Sequence, residues 1–156
     1  MSVIILDLDN TISNDAWRIQ HIQWQHKDPN RRYHDYHILA GFDECRNKEL
    51  FEGRDEIVIF TARPVMFRAI TVEWLARNGV AWTHLLMRNG EDHSHSVDLK
   101  ERQLNWLVSH YDVPLSKISH AYDDREDVVA MYKRRGVPAT VRRIHNVSAY
   151  KQKEEA

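Results

Sequence analysis

Cysteine is nearly missing from this 156-residue chain: Cys45 stands alone, which excludes an internal disulfide and a cysteine-rich zinc site. No apolar run reaches the roughly 18 residues of a membrane span, and no signal peptide is legible, so the expected location is cytoplasmic. An excess of one charge is lacking too. Lys and Arg number 22 against 23 Asp and Glu, a net charge of −1, so there is no global basic field to drive nonspecific nucleic-acid binding. Any contact with nucleic acid must be local. Internal repeats and low-complexity segments are also absent. Ten histidines are many, but they are scattered without HxxxH spacing near a carboxylate and read mostly as surface or helix residues.

What is present is ordinary for a globular protein, with 42% apolar and 29% charged residues. The length suits a single domain over residues 1–150 with a frayed tail at 151–156. The most informative stretch is Val3, Ile4, Ile5, Leu6, Asp7, Leu8, Asp9, Asn10, Thr11. Four consecutive apolar residues read as a strand buried on both faces of a parallel sheet. Asp7 and Asp9 then sit where the strand leaves the sheet. One such Asp is explained by capping; two like charges this close resist burial unless a cation or a proton intervenes.

Further along, residues 14–54 look least like sheet. Ala16, Trp17, Ile19, Ile22 and Trp24 suggest an amphipathic helix stopping near Pro29, and a second helical pattern surrounds Ile38, Leu39 and Phe42. We read 14–54 as a small helical cap. A second buried strand covers 56–61, and Pro64 is expected to start a helix. A short strand at 83–88, a helix from about 99 to 110, a strand at 117–122, a helix ending at Gly136 and an edge strand at 138–144 follow. Strands alternating with helices argue for an α/β fold with a doubly wound parallel sheet, helices on both faces. Ligands bind such sheets beyond the carboxyl ends of the strands, where the winding reverses. Both acidic pairs, Asp7/Asp9 and Asp123/Asp124, lie at such ends. If the first and fourth strands are neighbours, four carboxylates converge and call for a hard cation such as Mg²⁺.

Other groups have two readings. Thr61 either caps the following helix or, with that helix's free N–H groups, holds phosphate oxygens. Arg63 is either a surface charge or a bidentate phosphate ligand. Lys100, after a polar loop, is either solvated or turned to the acidic site. In the cap, Arg31 and Arg32 interleave with Tyr33 and Tyr36, a pattern suited to a phosphate backbone and a stacked base. Trp17 and Trp24 are expected to pack the cap onto the core.

Asp-x-Asp-x-Thr after a hydrophobic strand resembles the first motif of the haloacid dehalogenase superfamily, with Asn10 where that superfamily most often has Gly. The resemblance implies a Rossmann-like HAD fold, Asp7 as nucleophile and Asp9 as general acid/base. It also implies Thr61 and Lys100 as the second and third motifs, and Mg²⁺ held by Asp7, Asp9, Asp123 and Asp124, with Asp124 as direct ligand and Asp127 further out. The run from Thr71 to Gly79, Met87-Arg88, Lys100-Glu101 and the run from Tyr122 to Val137 are similar to the phosphatase domain of phage-type polynucleotide kinase/3′-phosphatases. That similarity implies Arg18 and Arg63, with Arg88, on the substrate. An Asp shortly before the lysine corresponds only loosely to Asp98, and the segment from Gln20 to Gly53 matches poorly. No GxxxxGK[ST] loop is present, so a phosphatase without a kinase half is expected. The implied activity is removal of 3′-phosphates from polynucleotide ends or nucleotides. A 5′- or 3′-nucleotidase, or a catalytically silent binding module, are the alternatives, and the intact Asp9 argues against silence.

Overall fold

A computed structural model describes residues 2–54 and 56–146; the expected frayed tail lies outside the described residues. Five parallel strands form one sheet: β1 (Val3–Leu6), β2 (Glu56–Pro64), β3 (His84–Arg88), β4 (Ile118–Asp123) and β5 (Ala139–Val141), in the order β3-β2-β1-β4-β5. β1 is central because its residues face apolar neighbours on both sides. Val3 and Ile5 join one core with Phe60, Leu104, Leu107, Val128 and Met131. Ile4 and Leu6 join the other with Ile57, Ile59, Trp74 and Leu75. The period-two alternation of a strand splits the run between two helical layers.

α3 (Ser96–His110) and α4 (Glu126–Arg134) supply the first layer, and α2 (Arg68–Arg77) the second. In α4, Glu126 and Asp127 occupy the first turn and Lys133 and Arg134 the last, matching the helix dipole. Gly136, at φ 80°, supplies the left-handed residue that ends it. The winding reverses at β1, which pairs with β2 on one side and β4 on the other. The crevice therefore opens above the carboxyl ends of β1 and β4, as the positions of the acidic pairs predict.

Between β1 and β2 the expected elements move. No α-helix forms before Pro29; Ala16–His21 is a single 3₁₀ turn. Pro29 starts rather than stops a helix, α1 (Pro29–Ile38), because Asp28 accepts from Asn30 N at 3.0 Å and proline at the first position needs no N–H partner. A 3₁₀ turn, Leu39–Phe42, follows. Pro64 is likewise the last residue of β2, paired with Arg88, and α2 begins at Arg68 after a 3₁₀ turn. The last strand is shorter than expected, Ala139–Val141 against 138–144, and does lie at the sheet edge. Among the described residues no helix is long and apolar enough to cross a membrane.

Candidate active site

The chain leaves β1 through a tight turn in which Leu8 O accepts from the N–H groups of Thr11, Ile12 and Ser13. Asn10 takes a left-handed conformation there, φ 62°, which Asn tolerates better than most residues. Its side chain adds what glycine cannot. Oδ1 accepts from Ile144 N and His145 N at 3.1 and 2.9 Å, while Nδ2 donates to Asp124 Oδ2 at 3.3 Å. The first acidic turn is thereby tied to the last one.

Asp7 N donates to Tyr122 O at 3.1 Å, setting the carboxylate beside the end of β4. Lys100, from α3, donates to Asp7 Oδ1 and Asp123 Oδ2, both at 2.8 Å, and to Phe60 O at 3.0 Å. Thr11 Oγ1 donates to Asp7 Oδ2 at 2.8 Å, and Arg125 N to Asp123 Oδ1 at 3.0 Å. Oxygens of Asp7, Asp123 and Asp124 lie within 4.8 Å of one another. One ammonium does not neutralise three carboxylates. Burial and then the charge of Asp123 push Asp7 up to about 6. Burial, then Asp7 and Asp123, push Asp124 well above the usual range. Lys100 moves the other way from what burial favours, because Asp123 and Asp7 hold its proton. This buried, oxygen-only, charge-deficient cluster has the donor set of a Mg²⁺ site.

The Asp9 carboxylate, expected among the metal ligands, stands apart from the cluster of Asp7, Asp123 and Asp124 carboxylates. Burial favours its neutral form, yet Arg63 and Arg18 outweigh burial and hold it well below the usual carboxylate range. Arg63 donates to Asp9 Oδ1 at 2.7 Å through Nη2, to Thr71 Oγ1 at 3.2 Å and to Ser13 Oγ at 3.1 Å. Arg18 also pairs with Asp9 Oδ1, and donates to Asp43 Oδ2 at 2.7 Å and to Tyr36 O at 2.9 Å. Both guanidiniums are fully buried. Arg18 and Arg63, expected on the substrate, both contact the Asp9 carboxylate in this structure.

A cavity of about 410 Å³ lies over these groups. Asp7, Asp9, Lys100, Asp123 and Asp124 line it, as do Arg32 and Arg88; Arg18, Arg31, Thr61 and Arg63 do not. Arg88 is held by Ala62 O, Asp92 O and Ser94 O at 3.1, 3.0 and 2.9 Å. Thr61 is buried under Ala62, its hydroxyl accepting from Arg63 N at 3.2 Å with its own proton left to give. It caps no helix, since α2 starts seven residues later. In α1, Tyr33 lines the cavity, but Tyr36 is fully buried, donates to Asp15 Oδ2 at 2.5 Å and cannot stack on a base. Trp24 packs edge-on against Tyr33, whereas Trp17 is 41% exposed and reaches Asp43 only through its Nε1. Asp127 pairs with Arg125 and stays exposed, outside the cluster.

Sequence reasoning missed Asp43 and Asp15, which anchor Arg18 and Tyr36, and His37, which lines the cavity. Asp15 and Asp43 sit in irregular stretches and His37 near the end of α1, none with a motif to mark it. It missed Asn30 too, whose Nδ2 donates to Gly90 O at 3.0 Å and joins α1 to the loop after β3 across the cavity.

Over residues 1–143 the sequence matches the family described as the polynucleotide kinase PNKP phosphatase domain. Comparison with curated proteins finds no match. Among solved structures, a chain of the Pnkp1/Rnl/Hen1 RNA repair complex superposes with a TM-score of 0.64 at 19% identity, covering 90% of this chain and 42% of that one. A HAD-superfamily hydrolase, subfamily IA, from Geobacter sulfurreducens PCA gives 0.58 at 10% identity over 90% of this chain and 86% of its own. A hydrolase from Streptococcus pneumoniae TIGR4 gives 0.54 at 9% identity over 98% and 96%. These likenesses are of fold. The chain spans less than half the length of the chains it matches from the RNA repair complex.

Proposed function

Because the chain belongs to the polynucleotide kinase PNKP phosphatase-domain family, of the haloacid dehalogenase superfamily, and is a HAD-type phosphatase, we propose that it removes 3′-phosphates from polynucleotide ends with Mg²⁺. The observation that carries this reading is the pairing, in one cavity, of a clamped carboxylate in the acidic cluster with a second carboxylate held apart from it. Asp7 attacks phosphorus in line, the P–O bond to the sugar breaks, and an aspartyl-phosphate forms. Lys100 and the Thr11 hydroxyl hold Asp7 Oδ1 and Oδ2, which fixes the carboxylate at the cavity wall.

Asp9 gives a proton to the departing sugar oxygen and later takes one from the water that hydrolyses the intermediate. Two guanidiniums hold it ionised in the free site, the form that activates water. A phosphate dianion arriving beside it raises its proton affinity, as the acid step requires. Mg²⁺ would be held by Asp7, Asp123 and Asp124, and would supply positive charge for the phosphoryl oxygens. Arg88, which lines the cavity, adds a further donor for the phosphoryl oxygens. Residues 14–54 act as the cap, with Arg32 and Tyr33 toward the nucleic acid and Arg31 at the rim. The reaction requires no membrane partner.

A second reading, a nucleotidase on free mononucleotides, is favoured by the Asn30–Gly90 bond, which ties the cap to the loop after β3 beside the cavity that Asn30 lines and would narrow its mouth for a polymer. Phosphate release from 3′- and 5′-phosphorylated oligonucleotides and from the matching mononucleotides, with and without Mg²⁺, separates the two. Preference for the 3′-oligonucleotide with Mg²⁺ is expected. Preference for mononucleotides moves the reading to a nucleotidase, and release of no phosphate from any of them overturns both.

A further inference from the structure

Three buried side-chain atoms among the described residues lack a hydrogen-bond partner: His37 Nδ1, Gln103 Oε1 and Tyr132 Oη. Of the three residues only His37 lines the cavity. Nδ1 is enclosed and stays unpaired, so the ring's other nitrogen, Nε2, which is not among the enclosed atoms and has no hydrogen bond among the described residues, is the polar atom His37 offers to the cavity. His37 is 6% exposed and set in an aromatic frame, with Tyr36 edge-on at 5.1 Å, Phe67 at 5.5 Å and Tyr33 at 6.2 Å between ring centroids. This frame fixes the ring without using its hydrogen-bonding capacity.

The charge around it decides what it can bind. Burial drives His37 down to about 3; Asp9 opposes that, and Arg18, Arg63 and Arg88 reinforce it. The imidazole is therefore neutral, with one donor and one acceptor. Phosphate oxygens find cations at Lys100 and Arg88 on the same cavity wall, so a neutral ring is not needed for them. A sugar, with hydroxyl and ether oxygens and no charge, is the part of the ester that suits it. His37 and Asp9 both line the cavity and interact electrostatically, so the ring stands near the carboxylate that, on the phosphatase reading, protonates the leaving alcohol.

We propose that His37 is a specificity-determining residue that hydrogen-bonds the sugar of the terminal nucleotide. The proposal rests on the phosphatase reading above and names which part of the substrate this wall of the site recognises. A neutral bond to the sugar exists in ground and transition states alike, so its loss raises KM more than it lowers kcat.

The test measures kcat and KM of wild type, His37→Phe and His37→Gln on a 3′-phosphorylated dinucleotide and on p-nitrophenyl phosphate, whose leaving group has no sugar. His37→Phe keeps the aromatic packing and removes the hydrogen bonds. Its selectivity, dinucleotide kcat/KM over aryl phosphate kcat/KM, is expected to fall about 10-fold, mainly through KM. His37→Gln should recover part of that loss. Equal losses on both substrates, or none on either, overturn the role of His37 and leave the phosphatase reading in place. A wild type that hydrolyses the aryl phosphate but not the dinucleotide overturns the nucleic-acid reading itself, and this proposal with it. If His37→Phe does not fold, the comparison of His37→Gln with His37→Asn, which holds its amide closer to the backbone, takes its place. A selectivity equal to wild type in both then overturns the proposal.

Discussion

Asp123 and Asp124 are adjacent in sequence and differ in what already occupies them. Asp123 accepts from Lys100 and from Arg125 N, while the Asp124 carboxylate accepts a 3.3 Å bond from Asn10 Nδ2, and burial with the charges of Asp7 and Asp123 pushes it well above the usual carboxylate range. A cation relieves Asp124 most. Asp124→Asn should therefore raise the Mg²⁺ concentration for half-maximal rate by roughly tenfold or more, as loss of a ligand's charge does. Asp123→Asn frees Lys100 and should lower kcat more than it shifts the metal requirement. Metal titrations of both variants decide this; identical curves contradict the assignment. At Asp7 the expectation is sharper: Asp7→Asn removes the nucleophile and one charge from a crowded cluster. Turnover should fall to background, while the metal-free melting temperature stays level or rises, read by phosphate release and calorimetry. The convergence of Asp7, Asp123 and Asp124 was legible in the sequence because both acidic pairs end buried strands, whereas the place of Lys100, on α3, was legible only through the family resemblance. Arg18 and Arg63 were legible as residues of the site but not as partners of Asp9. Arg18 and Arg63 look identical in sequence whether they face a phosphate or a carboxylate.

Sheet elements were readable to within a few residues because the apolar runs are long and the strands are buried on both faces. Caps and 3₁₀ turns were not. Pro29 and Pro64 were each assigned to the wrong side of a boundary, since proline suits a helix start and a strand end alike. The segment 14–54 shows why: its order comes from a buried charge network rather than from an amphipathic stripe. Arg18 and Asp43 have side chains with 0% exposure, and Ser13 and Trp17 complete the Asp43 shell. Removing one partner of such a pair leaves an uncompensated buried charge, which costs about 3–5 kcal/mol. Arg18→Ala should destabilise the protein by that order in urea unfolding, and should uncouple Asp9 from its acid/base role. A loss of activity with stability unchanged would mean that the guanidinium acts on substrate and not on Asp9. The Asn30–Gly90 bridge belongs to the same cap, and Asn30→Ala should widen access without touching the chemistry. Longer oligonucleotides should gain relative to mononucleotides, measured as the ratio of kcat/KM; an unchanged ratio removes the bridge as a gate.

At the level of the whole molecule, the reversal of winding at β1 concentrates acid where the fold has least to offset it, and the proposed Mg²⁺ site predicts a stability that depends jointly on the cation and pH. Asp7, raised from 3.8 to about 6, favours the folded state when protonated. Its contribution is complete below about pH 4 and is lost as pH rises through 6. Asp124 shifts in the same direction. His37 has the opposite sign: lowered from 6.5 to about 3, it is better accommodated folded as pH rises between those values. The metal-free profile is therefore a balance of the two and does not isolate the cluster. The increment produced by Mg²⁺ does, because the cation binds carboxylates and competes with their protons. At pH 7.5, saturation at about 100 times Kd contributes about 2.7 kcal/mol, a rise of roughly 5–10 °C in melting temperature for a domain of this size. At pH 5 the protonated cluster should give a much smaller rise. Asp7→Asn should reduce the increment at pH 7.5 and flatten its dependence on pH. Scanning calorimetry of wild type and variant, with Mg²⁺ or chelator at both pH values, checks all three statements. Equal increments at pH 5 and 7.5 in the wild type would mean that the cation binds somewhere other than Asp7, Asp123 and Asp124.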